Sequence, residues 1–259
     1  RFLDPATALS ETRRLVTQEG VFALVGDVSA VNPGDFLAQQ KVPYFGYAFD
    51  FTYCSTEPNP DTWGFGFNGC LVPKDVVKMG DNFGLNYQYS TEKLGKDKPT
   101  LAIFSADNTS GKNAAKSNAV AATGAGYDVK FAEGILAEPP IADYTPYVQQ
   151  LMTSADGGPP DVIQCLVSTD CIGMYVGLQN AGYTGIYSHT LYSDALVTPM
   201  KGSISSAFWV PSNTPGIPAL DQINSDITAI KSDATLETGS AAGYFSTDMF
   251  IQALKTVAD

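Results

Sequence analysis

Apolar and polar positions along the chain switch repeatedly between two periods. Residues 6–19 place Leu9, Leu15 and Val16 apart from Arg13 and Arg14, the spacing of an amphipathic helix. Asp4-Pro5 supplies a cap and a first helical position, and Gly20 supplies the stop. Val21-Phe22-Ala23-Leu24-Val25 is an unbroken apolar run, which predicts a strand covered on both faces. A short helix is expected over 33–40 and a strand over 42–45. Residues 49–70 carry Pro58, Pro60 and several Asn, Asp and Gly, so they read as a loop with a short strand near 63–67.

The alternation then becomes regular. Helix is expected over 74–94, strand over 100–104, Ala-rich helix over 111–122 and strand over 126–131. A helix over 144–154 is stopped by Gly157-Gly158-Pro159-Pro160. Strand follows over 162–167, helix over 172–181, and short strands at 186–187 and 207–210. Two helices, 220–231 and 244–257, close the sequence. Strands separated by helices of this length build βαβ units, so the fold class is α/β with parallel sheets and right-handed connections. No coiled coil, low-complexity tract or short repeat interrupts it.

Composition narrows the function. The 259 residues suffice for a sizeable core, and 44% hydrophobic with 16% charged residues exclude a disordered chain. A net charge of −12 argues against nucleic acid, whose phosphates need Lys/Arg stripes. No apolar run reaches the roughly 18 residues of a membrane span. Arg1-Phe2-Leu3-Asp4-Pro5 lacks a basic-then-apolar signal region, so any export signal is expected to be removed or to lie outside this sequence.

Cys54, Cys70, Cys165 and Cys171 form an even set that allows three pairings. Spacing favours Cys54 with Cys70 and Cys165 with Cys171, which would place the protein in an oxidising compartment. Four separate buried thiols are the alternative. No C-x-x-C occurs and His189 is the only histidine, so neither metal nor cofactor is expected. Gly64-Phe65-Gly66-Phe67-Asn68-Gly69 fits G-x-G-x-x-G but follows a Pro/Asn loop instead of a buried strand. Gly111-Lys112 resembles the end of a phosphate loop, yet Ala106 and Asn113 occupy positions that need Gly and Ser/Thr. No G-x-S-x-G elbow is present, and an enzyme reading rests on His189 alone. Asn108-Thr109-Ser110 is a glycosylation sequon, with meaning only in a eukaryotic secretory route.

Ligands of open parallel sheets bind beyond the carboxyl ends of the strands. The residues expected there are Gly26 to Ala30, Ser105 to Gly111, Ser168-Thr169-Asp170, and Ser188, His189, Tyr192, Ser193 and Asp194. Small hydroxyls recur and basic residues are scarce. Hydroxyls with free helix N–H groups favour an anion such as a carboxylate, whereas the plainer reading makes the same residues helix caps.

Several of these segments, in order, resemble the Leu/Ile/Val-binding substrate-binding proteins of ABC transporters. They are Asp4-Pro5 with Ala8, Arg14-Leu15-Val16, Val21 to Ser29, Val42-Pro43, Leu101 to Gly111, Gly124 to Val129, Asp143-Tyr144, Asp161-Val162-Ile163, Gln179 to Tyr183 and Gly243-Tyr244. The resemblance implies the type I periplasmic binding fold: two Rossmann-like lobes with parallel sheets flanked by helices, hinged around a ligand cleft. Lobe one would be 1–71 plus 213–259, and lobe two 72–212. Family members begin with a further strand and helix and continue past residue 259, so the resemblance implies a fragment.

By the same resemblance, the ligand contacts would come from Ser29, the backbone at Ala48 and Phe49, Ser110, Ser168 or Thr169, and Ser193 or Asp194. Asp194 would face an ammonium group. Ser110 stands where an aromatic residue is common, and Tyr47, Phe49 and Tyr192 would favour a larger or aromatic ligand. The implied protein is not an enzyme. It captures a small carboxylate-bearing solute (amino acid, amide or aromatic acid) outside the cytoplasm, in the periplasm or beyond, with or without a lipid anchor, and delivers it to a membrane permease. The same fold serves as a ligand-sensing receptor or regulatory module, which is the rival reading.

Overall fold

The computed structural model describes residues 5–27, 33–48, 51–54, 63–69, 83–137, 140–166, 170–190, 193–206, 209–211 and 214–258. The chain forms two compact units. One comprises residues 1–71, 191–195 and 207–259, the other 72–190 and 196–206.

In the first unit, helix α1 (Pro5–Thr17) leads to strand β1 (Leu24–Asp27), helix α2 (Gly34–Gln40), β2 (Tyr44–Gly46) and β3 (Gly64–Gly66). The three strands pair in parallel in the order β1-β2-β3. Leu37, Val42, Tyr44 and Tyr53 form the core on one side, with Val16, Leu24 and Trp63 against it. Helices α7 (Pro218–Ile230) and α8 (Thr238–Ala258) belong to the same unit, and α8 packs on β1 and β2. There Phe250 meets Phe45 at 5.4 Å and Phe22 at 6.0 Å between ring centroids.

The apolar run at 21–25 is not a strand covered on both faces. The strand begins at Leu24, where the Leu24 N–H donates to the Pro43 carbonyl. Phe22 is 70% exposed and Val25 39%. The main-chain partner fixes the register, and the run of apolar side chains does not.

In the second unit, α3 (Phe83–Leu94), β4 (Thr100–Ala106), α4 (Thr109–Ala125), β5 (Asp128–Leu136), α5 (Thr145–Met152), β6 (Val162–Cys165), α6 (Cys171–Asn180), β7 (Ile186–His189) and β8 (Ile204–Ser205) follow in order. All strands are parallel, in the order β5-β4-β6-β7-β8. Alternation splits the core. Ala102, Phe104, Ile163 and Cys165 face α5 and α6 through Leu151, Met174 and Leu178. Leu101, Ile103 and Val162 face the other way, toward Ala115 and Ala122 of α4. Asp161 ties two strand starts together by accepting from Thr100 N and Oγ1, both at 2.9 Å, and from Lys96 Nζ at 2.5 Å.

The expected strand at 207–210 is also corrected. Residues 207 and 208 lie outside the described residues, and Trp209 and Val210 are not in a strand. The fifth strand of this sheet is β8, too short and polar to register as an apolar run. Of the helix expected over 74–94, residues 74–82 lie outside the described residues.

Candidate functional site

In the first unit the ends of β1, β2 and β3 lie side by side. The Asp27 carbonyl accepts from Tyr47 N–H at 2.8 Å, and its carboxylate accepts from Tyr53 Oη at 2.7 Å. Ala48, whose main chain is expected at the ligand, has its N–H donating to Asn68 Oδ1 at 2.8 Å. Because an N–H can only donate, this bond fixes which end of the Asn68 amide is oxygen. Asn68 Nδ2 is buried and has no acceptor among the described residues.

Tyr47 sits among rings, with centroids 5.4 Å from Phe67 and 6.5 Å from Trp209, both edge-on. Phe67 in turn meets Phe245 at 5.3 Å. Burial pushes the Tyr47 phenol well above its ordinary range. Trp209 Nε1 is also buried without an acceptor among the described residues. Two glycines of the G-x-G-x-x-G segment, Gly64 and Gly66, serve packing in this unit. A Cβ on Gly64 would fall 2.5 Å from the Tyr44 ring, and one on Gly66 would fall 2.6 Å from Ala48 Cβ.

Ser193 Oγ donates to Glu237 Oε1 at 2.7 Å and accepts from Ala195 N–H at 3.2 Å. Asp194 opens a single 3₁₀ turn (Asp194–Leu196). Ser29, Phe49, Ser168 and Thr169 lie outside the described residues.

In the second unit, β4 runs into α4 through Asn108, whose side chain accepts from Gly111 N–H at 2.7 Å and so caps the helix. Ser110 is buried in the first turn. Lys112 pairs with Asp107 at 2.5 Å on the surface. A Cβ on Gly111 would run into the Ala106 carbonyl, so this glycine also answers a close approach. Cys165, ending β6, is disulfide-bonded to Cys171, the first residue of α6. Cys54 is also disulfide-bonded, and its expected partner Cys70 lies outside the described residues.

His189, buried at the end of β7, has Nε2 at 3.2 Å from Ser203 Oγ. Ser203 gives its own proton to the Met200 carbonyl at 2.7 Å, so the imidazole is the donor to Ser203. That is the reverse of a base drawing a proton from a nucleophile. Among the described residues no group of three or more His, Cys, Asp or Glu is placed to hold a metal ion, and no helix is long and apolar enough to cross a membrane.

Sequence reasoning missed Asn68, Trp209 and Glu237. Asn68 was visible only as a filler position in a glycine motif, and Trp209 only as part of an apolar run.

Comparison with known proteins places this architecture. The chain is similar in structure to a leucine-binding protein from Thermotoga maritima MSB8 (TM-score 0.67, 14% identity, covering 98% of this chain and 69% of that one). It is also similar to a possible leucine/isoleucine/valine-binding protein from Rhodopirellula baltica SH 1 (0.70, 13%, 97% and 67%). A third is an ABC-transporter solute-binding protein from R. palustris in complex with 4-hydroxybenzoate (0.64, 17%, 95% and 65%). The chain thus spans about two thirds of the length of these structures. No curated protein sequence matches it significantly. The family profile described as "Periplasmic binding protein" matches residues 3–259. With that match covering nearly every residue, and with two parallel α/β units beneath it, the chain belongs to the periplasmic binding protein family.

Proposed function

We propose that this protein is an extracytoplasmic solute-binding protein that captures a small carboxylate-bearing ligand, an amino acid or a related acid, and delivers it to an ABC permease. It binds and releases its ligand without turning it over. The observation that carries the reading is the family match along the whole chain. The disulfide between Cys165 and Cys171 supports an oxidising compartment. The names of the structural relatives, a leucine-binding protein and a 4-hydroxybenzoate complex, support a small organic acid as the ligand class.

In this proposal the lobes are 1–71 plus 213–259 and 72–212. The ligand draws on strand-end residues of both: the Ser29 hydroxyl, main chain at 48–49, Ser110, Ser168 or Thr169, and Ser193 or Asp194. Each charge-assisted hydrogen bond to the carboxylate contributes about 1.5–3 kcal/mol. An ammonium group, where the ligand has one, pairs with Asp194.

The test is a thermal-shift screen of small metabolites followed by calorimetry on each hit. The double variant Ser29→Ala/Asp194→Ala is expected to weaken a confirmed ligand. Unchanged affinity defeats the residue assignment, and a screen with no hit in any metabolite class defeats the solute-binding reading.

A further inference from the structure

From the first unit's strand ends, we infer that Asn68 Nδ2 and Trp209 Nε1 are the ligand's hydrogen-bond donors there, and that they select a small aromatic carboxylate. This rests on the solute-binding reading and names the ligand class within it.

The argument begins with two buried N–H groups. Leaving a buried donor unpaired costs about 1–3 kcal/mol, so such groups are rare and ask for a reason. Two of them occur around one side chain. Asn68 is joined to Ala48, the neighbour of Tyr47, and Trp209 meets the Tyr47 ring directly. The Asn68 amide acts as an extension of the main chain. Its oxygen takes up the Ala48 N–H, and its buried nitrogen keeps two hydrogens with no acceptor among the described residues. With the Ala48 N–H so engaged, Asn68 Nδ2 is the donor offered beside the 48–49 main chain.

Asn68 and Trp209 both carry neutral donors, which suits an acceptor such as a carboxylate. Neither supplies an acceptor to an ammonium at these atoms. Phe67, Trp209 and Phe245 are only partly buried, and with Tyr47 they form the ring cluster in which the Trp209 donor lies. Rings at 5.3–6.5 Å in tilted and edge-on arrangements favour another ring among them over an aliphatic chain.

The experiment is isothermal titration of the full chain with benzoate, 4-hydroxybenzoate, phenylacetate, benzamide and leucine. It is repeated on Asn68→Asp and Trp209→Phe. Asn68→Asp keeps an oxygen for Ala48 N–H while replacing the unpaired donor with a negative charge. Trp209→Phe keeps a ring and removes the N–H. We expect an aromatic acid to bind the parent protein, and each variant to lose about ten- to a hundredfold in affinity for it. Asn68→Asp should also reverse the preference between benzoate and benzamide, which a packing role alone does not produce. Binding of aromatic acids with both variants within twofold of the parent overturns the inference, while solute binding stands. Leucine bound in place of the aromatic acids does the same. Failure of the whole panel overturns the ligand class and leaves solute binding to be decided by the metabolite screen.

Discussion

At the scale of single residues, close approach and buried polarity decide what each position tolerates. Gly64→Ala places a methyl group 2.5 Å from the Tyr44 ring. Tyr44 is fully buried and bonded through Oη to the Thr52 carbonyl at 3.0 Å, so it cannot swing away. Overpacking of this kind costs about 1–3 kcal/mol, measurable as a lower urea midpoint. Asp161 gives a second prediction. Burial alone would raise its pKa, but Lys96 and the Thr100 N–H and hydroxyl outweigh it and hold the carboxyl below its ordinary value. Lys96 is half-exposed, so the Thr100 bonds carry more of the stability than the ion pair. A lowered folded-state pKa stabilises fully above the unfolded value near about 4 and is lost as pH falls through the folded value. Asp161→Asn should therefore destabilise at neutral pH and flatten the loss of stability below about pH 4. An unchanged acid-unfolding profile would refute this. Little of this was readable beforehand. The glycine spacing at 64–69 matched a dinucleotide motif that its context argued against, and sequence shows a glycine without the ring that requires it.

Between neighbouring elements, the sequence was most legible where burial was complete. Leu101-Ala102-Ile103-Phe104 has side chains covered on both faces, and it forms β4 where the apolar run lies. At 21–25 an equal run misled, because β1 is set by the Leu24–Pro43 hydrogen bond and leaves Phe22 and Val25 in part to solvent. β8 was illegible because two residues, Ile204 and Ser205, hold their place through pairing with Ser188 and His189. Asn68 and Trp209 were missed for the same reason: their roles come from partners about 20 residues away or more. Two junctions invite measurement. Asn108→Ala removes the acceptor for Gly111 N–H and should cost about 1 kcal/mol, since caps of this type contribute that much. The link between Cys165 and Cys171 spans only six residues and joins the end of β6 to the start of α6. Chain-entropy arithmetic for so short a loop gives about 2 kcal/mol, so replacing both cysteines by Ala should lower stability by about that amount. Equal midpoints for the two proteins would remove the link from the stability account.

On the scale of the whole molecule, ligand binding and folding share one equilibrium. A solute bound only by the folded protein at a hundred times its dissociation constant adds about 2.7 kcal/mol. For a chain of this size that raises the melting temperature by roughly 5–10 °C. Scanning calorimetry on a confirmed ligand should show the shift growing with the logarithm of concentration. A shift independent of concentration would contradict one-site binding. The parallel ladders carry a separate consequence. Among the described residues, a strand emerging from the ribosome has no hairpin partner immediately behind it, because each pairing waits for an intervening helix or loop to be made. Thr100 and Asp161 meet only after some sixty residues between them have been synthesised. Early collapse therefore offers little sheet structure to build on, and the slow step of acquiring the native state is the search for these distant neighbours.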